Sequence, residues 1–75
     1  MKELIEYIAR SIVDKPDEVT VTELPAEDGV ILRLEVAPED TGKVIGKDGK
    51  IANAMRTLLR VAAIRRGTRA TLEIV

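Results

Sequence analysis

The 75-residue chain contains no cysteine, no histidine, no tryptophan and no phenylalanine, and its one aromatic residue is Tyr7. Each absence removes a class of chemistry. Without cysteine there is neither a disulfide framework nor a thiolate metal site. Without histidine the commonest metal ligand and the commonest general base near neutral pH are gone. No pair of carboxylates stands in a recognisable catalytic setting, so the expectation is a non-enzymatic protein with no cofactor and no small-molecule substrate. No apolar run approaches the roughly 20 residues of a membrane span. The start, Met1-Lys2-Glu3-Leu4-Ile5-Glu6, carries acids where a signal peptide would have a long uncharged stretch. The sequence reads as soluble and cytoplasmic, with no membrane partner. Its length fits one domain, residues 1–75, and a chain this short buries only about 60–65% of the surface its unfolded form exposes.

The formal charge of −1 hides a division. Residues 1–41 carry four bases (Lys2, Arg10, Lys15, Arg33) against eleven acids, a balance of −7. Residues 42–75 carry eight bases (Lys43, Lys47, Lys50, Arg56, Arg60, Arg65, Arg66, Arg69) against Asp48 and Glu73, a balance of +6. Such asymmetry points to a polyanionic partner if folding gathers the bases on one face. An ordinary solvated surface would give the same counts.

Leu4, Ile5, Ile8, Ala9, Ile12 and Val13 follow helical spacing and predict an amphipathic helix over residues 2–13. Lys15-Pro16-Asp17 ends it, because proline cannot continue the hydrogen-bond ladder. Residues 18–24 are β-branched and alternating, as in a half-buried strand. Pro25 to Gly29 reads as a hairpin loop, with Gly29 free to take positive φ. Residues 30–36 form the clearest strand, with Val30, Leu32, Leu34 and Val36 on one face. Pro38 with Glu39 and Asp40 suits a helix start, and that helix can run only to about Ile45. A longer helix follows over residues 50–66, with Ile51, Met55, Leu58, Leu59 and Ala62 expected on the core face and Gly67 as C-cap. Residues 69–75 return as a strand. The order helix, strand, strand, short helix, long helix, strand makes an α+β fold: three helices on one face of a three-stranded mixed sheet. The hairpin makes the first two strands antiparallel, and the two-helix crossover sets the last strand parallel to the second.

The most informative stretch is Gly42-Lys43-Val44-Ile45-Gly46-Lys47-Asp48-Gly49-Lys50-Ile51. Gly46 and Gly49, three apart between two helices, let the backbone turn sharply and approach a ligand with no Cβ in the way. The next helix starts there, so its unpaired N–H groups and positive dipole end face whatever the loop touches. Lys43, Lys47 and Lys50 add three mobile cations. Backbone donors with lysines suit phosphates. A nucleotide P-loop would need four residues between its glycines and then Lys with Ser or Thr, but Gly42 and Gly46 have three between them and Lys47 precedes Asp48. A dinucleotide fingerprint would follow a strand directly, and this loop follows a helix. Helix, GxxG, helix instead resembles the loop of KH domains, a resemblance that implies a clamp on the backbone of about four nucleotides.

Val44-Ile45-Gly46-Lys47-Asp48-Gly49-Lys50-Ile51 resembles the signature of KH domains, and the element order resembles their type II topology. The stretch from Ala37-Pro38-Glu39-Asp40 through Arg56-Thr57-Leu58-Leu59-Arg60, with the chain ending after the last strand, resembles the stand-alone bacterial KH proteins of the KhpA type. The resemblance implies single-stranded RNA as partner, held by the loop and by an aliphatic groove beside it. The matching positions are Val44, Ile45, Gly46, Lys47, Asp48, Gly49, Lys50 and Ile51, and Lys43 beside them is expected to join the RNA contact through its charge. It also implies a homodimer, or a heterodimer with a larger Jag-type KH protein.

Among those residues Ile45 and Ile51 are expected in the core, with Val44 left to line the groove. Asp48 either weakens Lys47 at the phosphates or caps the long helix. Arg56 and Arg60, four apart on that helix, either contact RNA or serve as helix-favouring surface residues. Val61 and Ile64 fall away from the expected core face; they either form a self-associating patch or are singly exposed. With no aromatic platform for base stacking, one domain alone should bind modestly. A protein-interaction module with a KH shape and little RNA binding is the alternative reading.

Overall fold

The computed structural model describes all residues 1–75. Helix α1 spans Lys2–Ile12 and buries Ile5 and Ala9, with Met1, Ile8, Ile12 and Val13 packed at the margin. The chain leaves it through an extended Val13, and Pro16 opens a single 3₁₀ turn, Pro16–Glu18. Strand β1 (Thr20–Ala26) and strand β2 (Gly29–Glu35) pair antiparallel, Val21 opposite Leu34 and Ala26 opposite Gly29. A 3₁₀ turn, Pro38–Asp40, leads directly into helix α2 (Thr41–Ile45). After the glycine loop come helix α3 (Lys50–Arg65) and strand β3 (Arg69–Ile74), which lies parallel to β2 with Leu32 beside Leu72. The sheet order is β1-β2-β3, so β3 is an edge strand. Leu32 and Leu34 on the central strand are fully buried. Burying each contributes roughly 1.5–3 kcal/mol, so this small core is anchored on β2. No helix is long and apolar enough to cross a membrane.

The expected five-residue hairpin loop is instead a two-residue turn, Glu27-Asp28, because β1 continues through Pro25 to Ala26. Proline is tolerated there since β1 is an edge strand and need not donate on its outer side. Gly29 does not take positive φ. It opens β2 beside Arg69, and a Cβ there would meet the Arg69 carbonyl oxygen at 2.0 Å. The glycine is required by the close approach of β3.

The core face of α3 also differs from expectation. Ala52, Met55, Leu59 and Ala63 are buried, whereas Ile51 and Leu58 are exposed and Ala62 is only partly covered. Two alanines let the helix axis come close to the sheet and to α2, and that approach rotates the larger Ile51 and Leu58 outward. Helix α3 ends in a Schellman motif, where Thr68 N–H donates to Ala63 O and Gly67 N–H to Ile64 O, each at 3.0 Å.

Candidate nucleic-acid interface

Between α2 and α3 the backbone turns through Gly46 (φ 77, ψ 173), Asp48 (φ 57, ψ 24) and Gly49 (φ 75, ψ 14). Gly46 N–H donates to Gly42 O at 2.9 Å and closes α2, and Gly49 N–H donates to Gly46 O at 3.2 Å. A Cβ on Gly46 would lie 2.4 Å from Ile51 Cγ1, so Ile51 is packed directly against the loop backbone. This explains an isoleucine that the core does not take.

Asp48 does not cap α3: the N-cap is Gly49, and no side chain caps the helix. Asp48 is instead the one non-glycine residue with positive φ. Aspartate tolerates the left-handed region better than most residues, which accounts for an acid inside a basic loop. Its carboxylate forms no hydrogen bond or ion pair within the chain. Because no side chain claims the first N–H groups of α3, the helix start faces solvent at its positive end.

The loop lysines are not equivalent. Lys47 and Lys50 are exposed and form no ion pair, while Lys43 Nζ lies 3.3 Å from Asp14 Oδ2 on the turn after α1. We therefore expect Asp14→Asn to raise affinity for a polyanion by about twofold, the scale of an exposed ion pair, in a binding titration at low salt. Val44, expected in the groove, is fully buried in the core, and Ile45, expected in the core, is exposed. A helix of five residues offers the sheet little more than one inward position, and Val44 occupies it.

A cleft of two adjoining parts lies between α3 and the edge strand β3. Its part nearer the middle of α3, about 140 Å³, is lined by Arg56, Arg60 and Leu72. The part beyond it, about 450 Å³, is lined by Arg60, Ile64, Thr68 and Arg69. Arg60, Ala70 and Thr71 are common to both. Its walls are thus more basic and polar than the expected aliphatic groove. Arg60 forms no ion pair, Arg56 only touches Asn53 Oδ1 at 3.4 Å, and Arg69 faces Asp28 at 3.6 Å. The residues spaced by four, Arg56, Arg60 and Ile64, hence belong to the cleft flank of α3. Val61 lies on another flank with Ile51, Ala54 and Leu58, all exposed. Helical periodicity assigns Leu58 to the core and so misses it on this surface. The adjacent pair Leu58-Leu59 carries the signal, since one of two neighbours must turn away.

The arrangement offers a half-buried glycine turn, a helix start, two unpaired lysines and a basic cleft beside a free strand edge. The model of the KhpA/KhpB KH domain matches residues 2–74. The RNA-binding protein KhpA of Clostridium acetobutylicum is 55% identical over 75 residues, all of both chains. The KhpA of Treponema pallidum is 60% identical over 74 residues, 99% of this chain and 92% of the relative. That of Aquifex aeolicus is 44% identical over 75 residues, all of this chain and 95% of the relative. No solved structure matches the chain. With the helix–GxxG–helix loop in place and a family model covering all but the two terminal residues, this chain belongs to the KhpA/KhpB family of KH-domain proteins.

Proposed function

We propose that the chain is a cytoplasmic RNA-binding protein that holds single-stranded RNA, its backbone on the Gly46–Gly49 loop and its bases along the cleft between α3 and β3. The observation that carries this reading is the loop itself, whose backbone opens at the uncapped start of α3 between the unpaired Lys47 and Lys50. Family membership and the names of the relatives support RNA as the ligand. A run of about four nucleotides suits a loop and cleft of this kind. Arg56 and Arg60 would meet the strand beyond the loop. With no aromatic side chain in the cleft, affinity rests on phosphate contacts and is salt-dependent.

Lys47→Asp tests the reading. The Lys47 side chain is exposed and forms no hydrogen bond or ion pair, so the melting temperature should stay within the small range of surface substitutions. Affinity for single-stranded RNA should fall about fivefold or more, and the slope of log affinity against log salt should flatten by about 0.7 for each phosphate no longer neutralised. Unchanged binding with both glycines in place would remove the loop from the site.

A second reading concerns assembly. The exposed stripe Ile51, Ala54, Leu58 and Val61 on α3 supports pairing with a second copy, or with a Jag-type KH protein presenting a similar helix. It is compatible with RNA binding because stripe and cleft occupy different flanks of one helix. If pairing were the whole function, the Lys47→Asp protein would behave as wild type in every assay.

A further inference from the structure

Asp40 is the one charged side chain buried in the fold, 1% exposed, and it lies immediately before α2. A carboxylate there would ordinarily cap its own helix, but this one does not. Both of its oxygens reach across to the turn after α1: Oδ1 accepts the Asp14 N–H at 3.2 Å and Oδ2 accepts the Lys15 N–H at 3.0 Å. The same two residues add ion pairs to this segment, Asp14 to Lys43 and Lys15 to Glu39. The Lys15 hydrogen bond holds the Glu39 carboxyl below its ordinary range and raises the Lys15 ammonium above its own. These outer pairs are exposed and each contributes little. The buried Asp40 contacts are charge-assisted and shielded from solvent, which makes them the strong part of the junction.

What they hold matters for the loop. Helix α2 has five residues, too few to be stable without tertiary support. It is fixed by Val44 in the core at one end and by Asp40 at the other, and it ends directly on Gly46. Apart from Ile51 packed on Gly46, the near side of the glycine loop is therefore held only through α2, whereas its far side is carried by the long α3. We propose that Asp40 is a positioning residue for the phosphate-binding loop: its carboxylate, tied to the backbone of Asp14 and Lys15, sets where α2 delivers Lys43 and Gly46. This rests on the loop being the RNA site. It adds that the turn after α1 is coupled to RNA binding without touching RNA, and such coupling is reciprocal.

Asp40→Asn keeps the shape but leaves one acceptor oxygen, so the amide NH₂ must face one of the two backbone donors. In this variant, without RNA, the amide resonances of Gly46, Lys47, Asp48 and Gly49 should shift. Its affinity for a fluorescein-labelled, mixed-sequence RNA of about ten nucleotides should fall about fivefold or more. Val30→Ala, at the hairpin end of β2, controls for general loss of stability and should leave both readouts in place. Loop resonances unmoved in Asp40→Asn, with affinity matching the control, would overturn the proposal. Should that variant not fold, hydrogen exchange on the wild-type protein decides. RNA should slow exchange of the Asp14 and Lys15 amides by about fivefold, and unchanged rates would overturn the coupling. Failure of the RNA reading shows differently, as binding insensitive to Lys47→Asp while the RNA-free resonances still report on the tie.

Discussion

Gly46→Ala is expected to destabilise the protein by about 2–4 kcal/mol, through two independent effects that act at one atom. The backbone at φ 77 and ψ 173 lies in a region that is essentially glycine-only, which any side chain makes unfavourable by about 1–3 kcal/mol. The added Cβ would also sit 2.4 Å from Ile51 Cγ1, 2.9 Å from Ile51 Cβ and 3.0 Å from the Ile51 backbone nitrogen. The backbone nitrogen cannot rotate away, so relief must come from moving the start of α3. That movement displaces the helix N-terminus from the loop, and RNA affinity should fall about tenfold or more even where the variant is folded. Gly49→Ala gives the contrast. Its φ of 75 and ψ of 14 are ordinary left-handed values, and the nearest atom to a new Cβ is Asn53 Nδ2 at 3.9 Å. It should lose only about 1–2 kcal/mol. Chemical denaturation of both variants checks the ranking. Ile51→Ala in the Gly46→Ala background should recover part of the loss, because the pair shares the clash. Equal losses at the two glycines would mean that neither the glycine-only backbone region at Gly46 nor its Ile51 contact adds to ordinary left-handed strain.

The ease with which different parts of this protein could be read follows from the range of the interactions involved. Element order and strand pairing depend on local alternation, on a short hairpin and on a crossover long enough for a parallel return, all of which lie within short stretches of chain. The glycine loop was legible for the same reason, as were Lys47 and Lys50 beside it. Helix faces were harder. Hydrophobicity ranks Ile51 and Leu58 above Ala52 and Ala63, yet close packing selects the alanines because a short distance between backbones favours small side chains. In α2 the single inward position goes to Val44 and leaves the larger Ile45 exposed. Asp40 was out of reach, since its partners lie 25 and 26 residues earlier and nothing near it distinguishes a distant tie from an acid at a helix start. Asp48 shows a further limit: an aspartate just before a helix is consistent with capping and with left-handed backbone, and only φ separates them.

Leu58→Asp should convert the proposed dimer to monomer while leaving the fold and the loop intact. Helix α3 carries three stripes. Ala52, Met55, Leu59 and Ala63 face the core; Arg56, Arg60 and Ile64 face the cleft; Ile51, Ala54, Leu58 and Val61 face solvent. Leu58 is central to the third and 48% exposed, so a charge there adds no buried polar group to the monomer. Against a second apolar helix the same carboxylate would be desolvated without a partner, a penalty large enough to weaken association by about a hundredfold or more. Sedimentation across concentration measures this directly. The stripe assignment also separates two residues that sequence alone placed together. Val61→Asp should act like Leu58→Asp, whereas Ile64→Arg, 68% exposed on the cleft flank, should leave assembly unchanged. A dimer paired along this stripe keeps both clefts open, so one long RNA can engage two loops. Leu58→Asp should then lower affinity for long RNA by about a hundredfold through the absence of avidity and leave a short oligonucleotide bound as before. A wild-type protein that remains monomeric at every concentration would end the pairing proposal. A short oligonucleotide weakened as much as a long one would place Leu58 in the RNA site itself.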